Sequence, residues 1–417
     1  MLLFMLACTA GGKQAQIDDI GGTTTEPSEP SPTPSQDPAT EPSSNPAREP
    51  TSSPTTEPTT EPSQEPAQEP AQEPVFVPID TDVFSNTQKL IAPVNGFIDV
   101  PVPLSSQATS VMVALRGRDE TVIYEVVAPD GSIVFQSLEW YGTSQMITSA
   151  IYTSQTGERA FNWPIRGIDS PLSQGEWIFT FFSNDFSPGS ANVDIMVKRD
   201  NNLNSGTLKV LIGYTTELSY VQDFHSILNQ SIAVWEEIYG AYGISLEIDI
   251  IPTQLSGSIP SPFVGSLDYY SLNGQGDYSD ILVVIGENIA GATDQFGITG
   301  SIPGTTSRHR IGAVALSWLY AAGPDGEFDS VDIRLLGETL AHEVGHYMGL
   351  PHPVESSWFE YDALGDTANC TNQTSCESIF QTNIMFPYPI CDALDCIEQT
   401  EITSNQEEVW HRYIGVD

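Results

Sequence analysis

A chain of 417 residues with 55 Asp and Glu against 14 Lys and Arg carries a formal net charge of -41, which repels phosphate backbones and anionic membrane surfaces and sets nucleic acid aside as a partner. The length allows two ordinary domains with cores of their own. No apolar run reaches the length needed to cross a bilayer.

The opening residues, "MLLFMLACTAGG", form a short apolar run ending in small residues around Cys8, the pattern of an export signal over residues 1–20. It resembles a bacterial lipoprotein signal, in which the cysteine becomes lipid-modified after cleavage. The resemblance implies a cell-surface or outer-membrane lipoprotein that meets the membrane only through a lipid on Cys8. The alternative is an ordinary secretory signal with an incidental cysteine, and on either reading the protein is exported. Residues 21–78 are rich in Thr, Ser, Pro, Glu and Gln and close with "TEPTTEPSQEPAQEPAQEP". Proline blocks helix and ladder, the glutamates repel one another, and apolar residues are nearly absent, so this segment is expected to be a disordered, extended stalk. At about 3.1 Å per residue it spans on the order of 100 Å.

Residues 79–202 carry short β-rich runs: "SVMVAL" (110–115), "TVIYEVVAPDG" (121–131), "SIVF" (132–135), "EWIFTFF" (176–182) and "ANVDIMV" (191–197). Turn residues separate them and helical periodicity is absent, which predicts an all-β antiparallel sandwich. The order of these runs resembles the small β-sandwich modules appended to secreted bacterial peptidases. It holds no catalytic constellation and reads as an accessory domain.

From residue 203 to 417 strands and helices alternate. "TLKVLIGY", "ISLEIDIIP", "DILVVIG" and "IGAVALSW" read as strands, and residues 217–240 place Leu218, Val221, Phe224, Leu228, Trp235 and Ile238 near one helical face. A second helix spans 331–348, and the whole predicts an α/β domain with a mostly parallel sheet.

Three of the six histidines fall in "HEVGHYMGLPH", residues 342–352. On a helix the four-residue spacing of His342 and His346 puts both imidazoles on one face, where they can bind one zinc ion. Gly349 lets the chain leave the helix, and Leu350-Pro351 return it so that His352 becomes the third ligand. Three protein ligands leave a fourth position open, the arrangement of a catalytic zinc. Glu343, beside the ligands but not one of them, is the candidate general base. His225, His309 and His411 have no partner at ligand spacing and read as surface or satisfied residues. Acidic turns at 323–332, and Asp362 with Asp366, carry oxygen ligands of the kind calcium takes, but no complete calcium loop is present and solvated turns are the expected reading.

The motif resembles that of the metzincin metallopeptidases, position for position. The resemblance implies zinc-dependent hydrolysis of peptide bonds in a protein or peptide substrate lying along an upper edge strand, for which "IGAVALSW" is the candidate. It also implies a Met-turn, supplied by "NIMFPYP" (383–389), with Met385 as an apolar floor beneath the metal. "DALGDTANC", Cys376 and the Thr-x-x-Gln start in "ITSNQEEVW" are similar to the pappalysin-like branch, while His352-Pro353 and Pro387 depart toward other branches. Tyr388 stands open between a contact to the oxyanion or substrate and a wall residue. Cys370, Cys376, Cys391 and Cys396 predict two disulfides with three connectivities open, since their spacings lack the paired C-x-x-C form of a zinc site. Against a zinc endopeptidase stand an envelope-structural lipoprotein, which leaves the zinc motif unexplained, and a surface binding or adhesion lipoprotein whose zinc domain is inactive. The latter is disfavoured because both Glu343 and the three histidines are intact. Oligomeric state is not legible.

Overall fold

The computed structural model describes residues 7–9, 83–92, 96–117, 121–136, 159–183, 189–262, 281–292, 295–306, 312–323, 325–391 and 395–416. The stalk expected at 21–78, the side chain of Cys8 and His309 lie outside the described residues.

After β1 (Ala7–Thr9) come eight strands: β2 (Val83–Ala92), β3 (Gly96–Leu104), β4 (Ser110–Gly117), β5 (Thr121–Val127), β6 (Ile133–Gln136), β7 (Arg159–Trp163), β8 (Gly175–Ser183) and β9 (Gly189–Lys198). They pair antiparallel in two four-stranded sheets, β2-β9-β4-β7 and β3-β8-β5-β6. Alternation along β8 buries Trp177, Phe179 and Phe181, and Phe135 of one sheet meets Phe161 of the other at 4.8 Å between ring centroids. Contacts of this kind between inner-face aromatics are how two sheets close a shared core. β3 carries Pro101 and Pro103, which cannot donate to a ladder. It is tolerated because it lies at a sheet edge, bonded only to β8.

The second half is built on β10 (Gly206–Tyr214), β11 (Ile244–Pro252), β12 (Ser258–Ile259), β13 (Ile281–Gly286), β14 (Asn288–Ile289), β15 (Gln295–Thr299) and β16 (Val314–Ser317). Its main sheet runs β1-β15-β16-β13-β10-β11, with β10, β11, β13 and β16 parallel and β15 antiparallel to β16. This corrects the sequence reading in one respect. "IGAVALSW" forms β16, which is interior and buried along its whole length. The upper strand is β15, "QFGIT", whose outer side pairs antiparallel with β1. β15 is a five-residue strand with glycine at its centre, which weakens its strand signal in the sequence.

The helices are α1 (Phe224–Gly240), α2 (Trp318–Ala321), α3 (Ser330–Tyr347), α4 (Gln373–Phe380) and α5 (Ser404–Arg412). The helix expected from residue 217 begins seven residues later. Thr216–Tyr220 is a 3-10 turn, and Asp223 adopts a left-handed conformation at φ 60°, which Asp accepts at lower cost than most residues and which breaks the helical path. Val221 is accordingly exposed.

The β-rich half touches the α/β half through buried polar contacts. Lys198 at the end of β9 is 0% exposed; its ammonium donates to the carbonyl of His411 at 3.1 Å and to that of Val416. Asn162 Nδ2 donates to the Arg412 carbonyl at 3.3 Å, and Arg166 Nη1 to that of Ala363 at 3.3 Å.

Candidate metal centre

α3 is the scaffold. Asp329 caps its start, accepting from the amides of Val331 and Asp332, while the Asp332 side chain bonds the Asp329 amide in return. From Leu335 to Tyr347 nearly every residue is buried. The helix ends at Met348, and Gly349 takes φ 114°, a region that side-chained residues rarely enter. The chain then doubles back through Leu350 and Pro351 to His352.

His342, His346 and His352 are all buried and each offers a ring nitrogen within 4.8 Å of the others. Their orientation follows from three hydrogen bonds. His342 Nδ1 lies 2.5 Å from the Ile384 carbonyl, His346 Nδ1 lies 2.6 Å from the Leu350 carbonyl, and His352 Nδ1 lies 3.0 Å from a carboxylate oxygen of Glu355. A carbonyl or carboxylate accepts only, so each Nδ1 carries the proton and each Nε2 presents its lone pair to the common centre. His346 Nε2 and His352 Nε2 stand 3.1 Å apart, close to the roughly 3.3 Å that two ligands of a tetrahedral zinc take at about 2.0–2.1 Å from the ion. Burial, reinforced by the charge of His352, pushes His342 down to about 3 and His346 well below its ordinary range. Both imidazoles are neutral at physiological pH, as metal ligation requires. Three imidazoles converging on one centre are a donor set that suits zinc.

Glu343 is 0% exposed. The Thr299 hydroxyl of β15 sits 2.7 Å from its Oε2 and 2.6 Å from its main-chain carbonyl. Gly297, two residues earlier on β15, leaves the space the Glu343 side chain fills: a Cβ there would stand 2.5 Å from Glu343 Cγ. β15 therefore approaches Glu343 too closely for any side chain to stand between them at this position.

Met385 is 0% exposed and packs beneath α3 at Gly345, where a Cβ would meet its sulfur at 2.6 Å. The turn that carries it is closed by Phe386 N donating to the Asn383 carbonyl at 3.0 Å. Asn383 also accepts from Met385 N at 2.9 Å and donates to Gln406 Oε1 at 2.8 Å. Gln406 belongs to the capping box opened by Thr403 at the start of α5, so the Thr-x-x-Gln signal locks the methionine turn to the last helix. Tyr388 lines the cavity beside His342, with its hydroxyl on Glu377 Oε1 at 2.8 Å.

The cysteines pair as Cys370–Cys376 and Cys391–Cys396, each with its near neighbour. Among the described residues the three histidines are the one group of His, Cys, Asp or Glu side chains placed to share an ion, so the acidic turns do not support calcium. Their carboxylates serve local structure instead: Asp329 caps α3, Asp362 accepts from Thr367, and Asp366 accepts from Thr403 Oγ1 and Asn405 N. His225 is exposed. His411 is buried, its Nε2 3.0 Å from the Tyr242 carbonyl.

Two contributors escaped the sequence reading. Thr299 lies 44 residues before Glu343 on a strand that was not recognised. Glu355 lies only three residues after His352, a spacing that could have flagged it as the carboxylate behind the third ligand.

No family profile matches the chain, and no curated protein does. Among solved structures, metalloproteinase-II from Bacteroides fragilis is similar over 47% of this chain at 11% identity and a TM-score of 0.24, and the chain spans 58% of its length. Archaemetzincin from Methanopyrus kandleri is similar over 50% of this chain and 88% of its own, at 15% identity and a TM-score of 0.26.

Proposed function

We propose that this chain is an exported, zinc-dependent endopeptidase. The observation that carries the reading is the convergence of three histidines beside a buried carboxylate that is hydrogen-bonded to Thr299 of β15. Zinc, when bound by His342, His346 and His352, supplies an acidified water and a Lewis acid for the scissile carbonyl. Glu343 takes the proton of the attacking water and returns it to the leaving amine. Thr299 holds Glu343 Oε2 at 2.7 Å, so the base is oriented before substrate arrives, which is the condition for efficient proton transfer. Substrate lies extended along β15. That its outer side takes an antiparallel strand, Ala7–Thr9, supports this placement.

We read the chain as nearest the pappalysin-like branch of the metzincins. Supporting this are the Thr403 capping box, the bonds from Thr403 and Asn405 to Asp366, and the Cys370–Cys376 disulfide beside them. Two disulfides also favour an oxidising, exported location.

The test compares two variants of the zinc-loaded protein. Glu343→Ala removes the proton carrier but no ligand, so zinc content is expected to stay near one per chain while peptide hydrolysis falls by several orders of magnitude. His346→Ala removes a ligand, and zinc and activity are expected to fall together. A Glu343→Ala protein that cleaves peptides as well as the parent would sink the reading.

A further inference from the structure

The chain that carries His352 away from α3 forms a narrow two-armed loop. Asp362 N donates to the Pro353 carbonyl at 3.3 Å, Glu355 N donates to the Glu360 carbonyl at 2.8 Å, and Val354 bridges Tyr361 antiparallel between them. The first arm bears His352 and Glu355, the carboxylate behind its ring. The second arm runs on into Ala363. Neither arm belongs to a helix or to one of the sheets. Irregular backbone is costly to order, so the place of the second arm depends on what it meets outside the loop.

It meets the β-sandwich. In the turn between β7 and β8, the Asp169 side chain is only 2% exposed. Its Oδ2 accepts from the amides of Ile165 and Arg166 at 3.0 and 2.7 Å, and its Oδ1 accepts from Arg166 Nε at 2.9 Å and Nη2 at 2.7 Å. Two bonds to one edge of a planar guanidinium fix its orientation. Nη1 is thereby turned to the Ala363 carbonyl, to which it donates at 3.3 Å. The next residue, Gly167, approaches α5 so closely that a Cβ would stand 1.8 Å from Glu408 Oε2. With the turn seated on α5 and the guanidinium locked by Asp169, little freedom is left to lose when Arg166 binds Ala363.

We propose that Arg166 is a positioning residue of the metal centre: through Ala363 the β-sandwich holds the second arm of the loop, and the rungs of the loop hold His352 where its Nε2 meets that of His346. The inference rests on the reading of the three histidines as zinc ligands. The sandwich is then a working part of the site.

Two measurements on the full chain test it, neither of which needs turnover. One is zinc affinity by chelator competition. The other is the visible absorption of the cobalt-substituted protein, whose bands report the number and geometry of the ligands. In Arg166→Ala zinc affinity is expected to fall about tenfold, the lower end of what groups behind metal ligands contribute, and the cobalt bands are expected to lose intensity. Arg166→Lys is expected to give no rescue, because an ammonium has no planar fork to grip Asp169 while reaching Ala363. Asp169→Asn keeps an acceptor for the turn amides and releases the guanidinium, so it is expected to reproduce the loss even if Arg166→Ala does not fold. Lys198→Met is the comparator, since it cuts a different contact between the two halves, at the carbonyls of His411 and Val416. It is expected to lower stability while binding zinc within about twofold of the parent, as independent sites do. Parent-like affinity and cobalt bands in Arg166→Ala or Asp169→Asn overturn the proposal. So does an equal loss of affinity in Lys198→Met, which would reduce the effect to general stability. A parent that takes up neither zinc nor cobalt removes the metal-centre reading and the proposal with it.

Discussion

Of the three histidines proposed to hold the metal, His352 has least support from regular structure, because it sits after the helix on a loop whose course is set by Gly349 and Pro351. Its ring is fixed by Glu355, at 3.0 Å from Nδ1. A carboxylate behind a ligating imidazole sets the tautomer and raises its basicity, and removing such a partner usually weakens metal binding about 10–100-fold. Glu355→Ala is therefore expected to weaken zinc affinity by about that factor in a chelator competition, with Glu355→Gln intermediate because an amide still accepts. An unchanged affinity would mean that the loop alone orients His352. At this scale the convergence of His342 and His346 was legible because helix geometry turns a four-residue spacing into a shared face. Thr299 was not, since its partner is 44 residues away and no local pattern reports a contact across that distance.

Between His352 and α4 the chain has little regular structure and relies on carboxylates to close its turns. Asp362 accepts from Leu364 N at 3.1 Å and Thr367 Oγ1 at 2.6 Å through Oδ1, while Oδ2 is buried without a hydrogen bond. Burial raises this carboxyl to about 7, with the Thr367 and Leu364 bonds opposing. A folded-state pKa above the unfolded value, about 3.9, means that the folded protein binds the proton more tightly. Its contribution is present in full below about pH 3.9 and is lost as pH rises through about 7. Asp362→Asn keeps the Oδ1 acceptor and removes the ionisation. Its thermal midpoint relative to the parent is expected to be higher at pH 8 than at pH 5, and differential scanning fluorimetry at the two values decides it. A gap that is constant or reversed would show that Asp362 is solvated. Here sequence patterning worked for the strongly periodic elements, α3 above all. It failed at Asp223, where a single left-handed residue delays α1, and at β15, whose central glycine hides a strand.

Lys198 binds the two halves described here. A buried ammonium donating to the carbonyls of His411 and Val416 has no water to fall back on, and both carbonyls lose their partner together when it is removed. Lys198→Met keeps the stem and deletes the donor, and is expected to destabilise the protein by about 2–4 kcal/mol in urea unfolding, the scale of a lost charged hydrogen-bond donor with acceptors left buried. A change below about 0.5 kcal/mol, the range of an ordinary surface substitution, would show that the contact is incidental. Nothing local in "MVKRD" marks Lys198 as buried, because a lysine near a strand end is normally solvated. By itself the sequence determined most of the secondary-structure classes, the helical pairing of His342 with His346 and the return of the chain at Gly349, all set by interactions within a few residues, while the methionine turn came from the family resemblance. Tertiary structure alone decided that β15 and not β16 forms the upper strand, that each cysteine pairs with its neighbour, that Arg166 reaches Ala363 and that Lys198 reaches the far end of the chain. Those outcomes depend on which distant surfaces bury one another, and burial is a property of the whole fold that no short window of residues contains.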